Sequence, residues 1–197
     1  HHTAIESSAK HPGYKVLFPS TLEMRPHQVA KLEKAKTGSV VGRLFNADME
    51  EYSMDWVNNA LNQEQRRAVM RILEGTYRPV PYIIYGPPGT GKTVTLVEAV
   101  LQIFLLCPRS RILVTTPSNS SADLIAHRLL LSGRLEPGDV VRLNAFSRNA
   151  EGVFEEIRPF SMCCDDIQQA VRHRILITTC TTAGKIYTVG LQQGHYT

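Results

Sequence analysis

The feature that most constrains this chain is Gly86-Pro87-Pro88-Gly89-Thr90-Gly91-Lys92-Thr93, which matches G-x-x-x-x-G-K-[ST] at every specified position. Glycines at these places let the backbone curl until successive N–H groups face an anion. A helix starting at the lysine adds the partial positive charge of its N-terminus. In such a loop Lys92 reaches the β- and γ-phosphates of a nucleotide, and the Thr93 hydroxyl holds a magnesium ion. The plain alternative is a chance match in an ordinary glycine turn. Context separates the two, because the phosphate reading needs a strand before and a helix after. Tyr82-Ile83-Ile84-Tyr85 reads as a short apolar strand. Lys92 to Leu106 reads as a helix apolar on nearly all sides, hence buried, with Pro108 ending it.

The rest of the chain extends the pattern. Asn62 is placed to cap a helix running to about Glu74, with Leu61, Ala68, Val69, Ile72 and Leu73 on its apolar face and Gly75 closing it. Strands are expected at Ile112–Thr115, Val140–Leu143 and Ile175–Thr178, with helical stretches near Ala122–Leu131 and Asp166–Val171. β-Branched strands alternating with helices predict an α/β fold, a parallel sheet covered on both faces. Arg111-Ile112-Leu113-Val114-Thr115-Thr116 and Arg174-Ile175-Leu176-Ile177-Thr178-Thr179 are nearly one strand written twice. Each runs into small polar residues, where an open parallel sheet binds its ligands.

At 197 residues, 43% hydrophobic and 20% charged, the chain suits one domain with a proper core, or one domain plus a flanking segment, and neither disorder nor a fibre. No apolar run reaches the ~20 residues of a membrane span, and HHTAIESSAK lacks a signal-peptide core, so the expectation is a soluble intracellular protein. Cys107, Cys163, Cys164 and Cys180 form no C-x-x-C pair, and adjacent cysteines ill suit one tetrahedral zinc, so reduced thiols are expected. The net charge of +4 arises after residue 61, where only Lys92 and Lys185 of the cations are lysine. Arginine's planar fork suits phosphate, although an arginine-rich solvated surface explains the bias equally well. Residues 1–57 offer little apolar surface, with an extended piece at 15–19 and a short charged helix at 27–36.

Asn62-Gln63-Glu64-Gln65 admits two readings. Asn at the cap with Gln three positions on is a capping-box variant that needs no ligand. Alternatively, Gln65 presents an amide whose donor and acceptor match adenine. Spacing alone favours the cap, and the roles coexist if Asn62 fixes the turn.

Taken together, Leu61–Gln65, Tyr82–Tyr85 running into GPPGTGKTVTLVEA, Thr116-Pro117-Ser118-Asn119-Ser120 and Ile177-Thr178-Thr179-Cys180 resemble the first RecA-like domain of a superfamily-one RNA helicase. The group is the Upf-one-like one, and the branch most resembled is that of Mov-ten and Armitage. The resemblance covers 58–197 and implies a P-loop NTPase sheet, incomplete at the C-terminus, with 1–57 as the tail of an accessory RNA-binding region and stalk. It implies ATP and Mg²⁺ as cofactors, held by Asn62, Gln65 as adenine reader, and Gly86, Pro87, Pro88, Gly89, Thr90, Gly91, Lys92, Thr93 and Val94. Lys92 and Thr93 are then the catalytic residues, and Thr93 the metal ligand. Pro117, Ser118, Asn119, Thr178, Thr179 and Thr181 touch single-stranded RNA through its backbone, since short hydroxyls and amides carry no base information. For Ser118-Asn119 the residues alone suggest a helix cap, and for the threonines β-propensity. Arg142 or Arg148 is a further candidate for phosphate.

The family's Asp-Glu-Ala-Gly box should follow Gly194-His195-Tyr196-Thr197, and its second RecA-like domain with an arginine finger lies beyond. The chain as given is therefore expected to bind ATP but hardly to hydrolyse it. For the whole protein the resemblance implies an ATP-dependent RNA helicase or RNP remodeller, 5′ to 3′. It further implies the RNA-silencing (piRNA) pathway and its proteins, the cytoplasm and ribonucleoprotein granules. The competing classes are a non-catalytic ATP-gated clamp on RNA or protein, and another P-loop NTPase such as a small-molecule kinase.

Overall fold

The structure, a computed structural model, describes residues 54–75, 80–148 and 152–188. The expectations for 15–19 and 27–36, and for 1–57 apart from 54–57, lie outside the described residues. The chain divides into two compact units between Ala99 and Val100.

In the first unit, α1 (Gln63–Glu74) begins and ends where its cap residues dictate. The Asn62 side chain accepts from the Gln65 amide at 2.9 Å, and the Gln65 side chain accepts from the Asn62 amide at 3.0 Å. Gly75 ends the helix in the left-handed region at φ 58°, its amide returning to the Arg71 carbonyl. Val69, Met70 and Leu73 are its buried residues, beside buried Leu61, Trp56 and Met54, while Ala68 and Ile72 are only half-buried. The Arg66 guanidinium lies 5.4 Å from the Trp56 ring centroid.

Helix α2 (Lys92–Leu106) has the expected bounds. Its buried side includes Val97, Ala99, Val100, Leu101 and Phe104, and also three polar residues, Thr95, Glu98 and Gln102. Leu96 and Leu105 are exposed, so the helix is buried on one side rather than nearly all round. Glu98 is 1% exposed, and its carboxylate accepts from the backbone amides of Val57 and Asn58, both at 3.0 Å. A buried carboxylate is tolerable only with such donors. Here it pins the segment entering α1 against the helix.

Tyr82–Tyr85, expected as a strand before the loop, carries none, and Tyr82, Ile83 and Tyr85 are 39, 79 and 93% exposed. Apolar, β-branched content favours extended backbone, but a strand exists only where a neighbour takes its N–H and C=O groups.

The second unit holds a four-stranded, all-parallel sheet in the order β1-β4-β2-β3, with β1 Ile112–Thr116, β2 Val140–Asn144, β3 Ser161–Cys163 and β4 Ile175–Thr179. The two near-identical strands are neighbours, paired from Ile112 with Ile175 to Thr116 with Thr179. Val141, Leu143 and Leu176 face Ile167 and Ala170 of the short α4 (Ile167–Ala170) and Ile186 of α5 (Cys180–Thr188). The alternate residues, Arg142 among them, face α3 (Asn119–Leu131) through Ala122, Asp123, Ile125, Ala126 and Leu129. Helices thus cover both faces, as the strand pattern predicts. Strand β3, flanked by short 3-10 turns, is too brief and half-buried to announce itself in the sequence.

Arg174 connects this sheet to the end of α2. Its guanidinium sits 3.8 Å from the Phe104 ring centroid and donates to the carbonyls of Phe104 at 2.7 Å and Cys107 at 3.0 Å. Last-turn carbonyls have no amide partner within the helix, and a cation there also meets the negative end of its dipole. Arg174→Ala is therefore expected to lower unfolding free energy by about 2–3 kcal/mol in urea titration. Arg174→Lys should recover only part, because an ammonium lacks the planar fork.

Candidate functional site

In the first unit, the turn from Gly86 to Gly91 is shaped by two glycines in the left-handed region, Gly89 and Gly91, both at φ 81°. L-residues rarely adopt that conformation. At Gly91 a Cβ would also stand 2.4 Å from Gln65 Nε2, and at Gly86 one would stand 2.7 Å from Thr90 Oγ1. The turn leads directly into α2, whose first-turn amides have no carbonyl four residues back to receive them. Thr95 closes that turn, its amide and hydroxyl donating to the Gly91 carbonyl at 3.0 and 3.2 Å.

The ammonium of Lys92 folds over the loop and donates to the carbonyls of Gly86 at 2.7 Å and Pro87 at 2.8 Å. Thr90 Oγ1 also donates to Pro87 O, at 2.8 Å. Pro87, Pro88, Gly89 and Thr90 are exposed, while Thr93 and Val94 are half-buried in the first turn of α2. Positive charge, the free amides of a helix start and solvent access are what a polyphosphate with its cation requires. The residues fit that group. A separate groove of about 820 Å³ lies between α1 and residues 80–85, with Glu64, Arg67 and Tyr85 in its wall, and contains none of the loop residues.

Gln65 unites the two readings of its motif. It completes the capping box, and its Nε2 also donates to the Thr90 carbonyl at 3.1 Å. A primary amide has two N–H donors and two acceptor lone pairs, so capacity for one bond of each kind remains.

In the second unit, the expected RNA contacts gather at the carboxyl ends of β1 and β4, in differing states. Ser118 caps α3, its Oγ accepting the Ser121 amide at 3.1 Å, and Pro117 and Asn119 are exposed. Thr179 Oγ1 takes the Thr182 amide at 3.4 Å at the start of α5, and Thr181 is exposed. Thr178 differs from the rest. It is fully buried and its hydroxyl donates to the Leu143 carbonyl at 2.9 Å, because side chains alternate along a strand and this one points into the unit.

Arg142 and Arg148, read as candidates for phosphate, are both engaged by Asp123. Arg142 is 1% exposed, with Nε 2.9 Å from Asp123 Oδ1 and Nη2 2.8 Å from Asn119 Oδ1. Arg148 pairs with both carboxylate oxygens of Asp123 and donates to Asn144 Oδ1 and to the Gly152 carbonyl, each at 2.8 Å. The sequence reading missed this pairing, and the one signal for it is a lone arginine inside the apolar run Val140-Val141-Arg142-Leu143. One consequence reaches the surface. With its oxygen held by Arg142, Asn119 offers its amide N–H groups outward.

Beyond β3, Cys163, Cys164 and Asp165 bring three possible metal donors within 4.8 Å of one another, one short of a tetrahedral set. All four cysteines are free thiols.

A family model described as an AAA domain matches residues 60–170. The human RNA helicase Mov10l1 is 51% identical over 163 residues, covering 78% of this chain and 14% of that protein. The Drosophila melanogaster probable RNA helicase armi is 35% identical over 221 residues, covering 100% and 18%. The Gallus gallus putative helicase MOV-10 is 42% identical over 146 residues, covering 68% and 15%. The chain thus spans less than a fifth of the length of these relatives. No helix among the described residues is long and apolar enough to cross a membrane.

Burial raises the Asp123 carboxyl, but the hydrogen bonds and charges of Arg148 and Arg142 outweigh it and hold the group below its ordinary value. A carboxyl depressed on folding stabilises the protein above its unfolded pKa and loses that contribution as pH falls through the folded value. Asp123→Asn, which strands two guanidiniums, is expected to cost about 3–5 kcal/mol near neutral pH. The gap to wild type in denaturant titrations should hold down to about pH 5 and narrow below about pH 4.

Proposed function

This chain belongs to the AAA-domain family in its Mov10/Armitage-type superfamily-one helicase branch, and from that premise we propose that it is the ATP- and RNA-binding part of an ATP-dependent RNA helicase. The observation that carries the reading is the loop itself, with two left-handed glycines, a lysine ammonium within 2.8 Å of two loop carbonyls, and the start of a helix. Lys92 would hold the β- and γ-phosphates and Thr93 the Mg²⁺, with Gly86–Gly91 and Val94 forming the surrounding backbone. Gln65 would meet adenine through its remaining donor and acceptor. Bound ATP supplies the phosphoanhydride bond whose cleavage drives the cycle.

Single-stranded RNA would cross the carboxyl ends of β1 and β4, touching Pro117, Ser118, Asn119, Thr179 and Thr181. Outward N–H groups of Asn119 and the amides that open α3 and α5 suit phosphate oxygens, a contact that positions a strand without reading it. Thr178 is left out of this set because its hydroxyl is spent on Leu143. A silencing role, 5′ to 3′ movement and a place in cytoplasmic granules are extensions of the family reading. The clamp alternative differs only in hydrolysis.

Lys92→Ala in the complete protein is expected to weaken ATP binding roughly ten- to hundredfold and to stop unwinding. Undiminished ATPase activity in that variant would remove the phosphate-loop assignment. Asn119→Ala should weaken single-stranded RNA to a similar degree whatever its sequence.

A further inference from the structure

Beyond the backbone contacts just proposed, one side chain at the same edge remains unused. Phe146 lies two residues past the carboxyl end of β2 and is 73% exposed, which leaves its ring accessible at that edge. Strand β2 neighbours β4 in the all-parallel sheet, so the turn holding Phe146 emerges at the edge that carries Ser118-Asn119 and Thr179-Thr181. The other strongly exposed phenylalanine of this unit, Phe154, has its ring against His127 with centroids 6.2 Å apart. Among the described residues Phe146 makes no ring contact of that kind.

The turn is also braced. The Arg148 amide donates to the Ala145 carbonyl at 3.0 Å, closing a tight turn with Phe146 and Ser147 exposed at its tip. The Arg148 side chain is anchored to buried Asp123, to Asn144 and to the Gly152 carbonyl. Asp123 in turn binds Arg142, which holds the exposed Asn119. Through this network the phosphate-facing amide and the aromatic turn are fixed to one buried carboxylate. Two arginines against one carboxylate leave a net positive charge beneath the edge, the sign a nucleic-acid strand requires.

We propose that Phe146 is a base-stacking platform, on which an unpaired base of the strand held at Asn119 lies face to face with the ring. Single-stranded binders pair backbone contacts with such aromatic faces. Stacking tolerates any sequence because every base has a π-face, and purines, with the larger face, gain most. The inference rests on the RNA reading above and adds a residue type that no backbone contact supplies.

The test uses the full chain and fluorescent oligo(A) and oligo(U) strands, with affinity read by anisotropy at one fixed salt concentration. Phe146→Leu keeps the apolar bulk and removes the π-face, and on an exposed turn it leaves folding intact. It is expected to weaken oligo(A) roughly five- to hundredfold, and oligo(U) less. Phe146→Trp should retain affinity, and its indole emission should fall as RNA is added, against the buried Trp56 as the one native tryptophan. Wild-type affinity in Phe146→Leu, with Asn119→Ala still weakened, would overturn the stacking assignment, spare the RNA edge and point to a protein partner for the ring. No loss in either variant would remove the RNA edge itself.

Discussion

The described part of the first unit depends on a backbone that turns through two left-handed glycines and then starts a helix. At Gly89 and Gly91, φ is 81°, and the residues that follow begin α2 with amides that no carbonyl of their own helix can receive. Gly89 is exposed and Gly91, Lys92 and Thr93 are half-buried, so these donors are not sealed in the core. Lys92 adds a full charge to that partial one and, meanwhile, satisfies itself on the Gly86 and Pro87 carbonyls. Gln65 ties the loop from the side through Thr90, so the capping of α1 and the shape of the loop depend on one side chain.

The sheet unit has a different organising interaction. Asp123 and Arg142 are both nearly fully buried, and Arg148 pairs with the same carboxylate and leaves the trio with a net positive charge. Buried ion pairs rarely add much net stability, since desolvation consumes most of their attraction. What this one provides is direction. It sets which end of the Asn119 amide faces out, and it fixes the turn that carries Phe146. The polar chemistry of the edge is thus specified from below, by groups no ligand would touch.

Much of this was legible in the residues, for identifiable reasons. Asn62, Gly75 and the period of α1 gave its limits, and β-branched runs after Arg111 and Arg174 gave two strands that prove to be neighbours in register. Local signals sufficed because caps and alternation are local physics. The failures share the opposite cause. Tyr82–Tyr85 has strand composition but no hydrogen-bonded neighbour, and pairing is not written in a four-residue run. Arg142 or Arg148 reads as a phosphate ligand, yet Asp123, nineteen and twenty-five residues away, holds both. Thr178 looked like its neighbours, yet strand alternation turns it inward. Glu98 gave no signal at all, since its partners are backbone amides about forty residues earlier.

The central claim, an anion cradle built from the amides of Gly89 to Thr93 and the Lys92 ammonium, is tested most directly by amide NMR during titration with ATP and Mg²⁺. The account predicts that the amide resonances of Gly89, Gly91, Lys92 and Thr93 move first and furthest, with inorganic triphosphate reproducing the pattern. Saturable ATP binding that leaves those four resonances in place and moves others instead would contradict it.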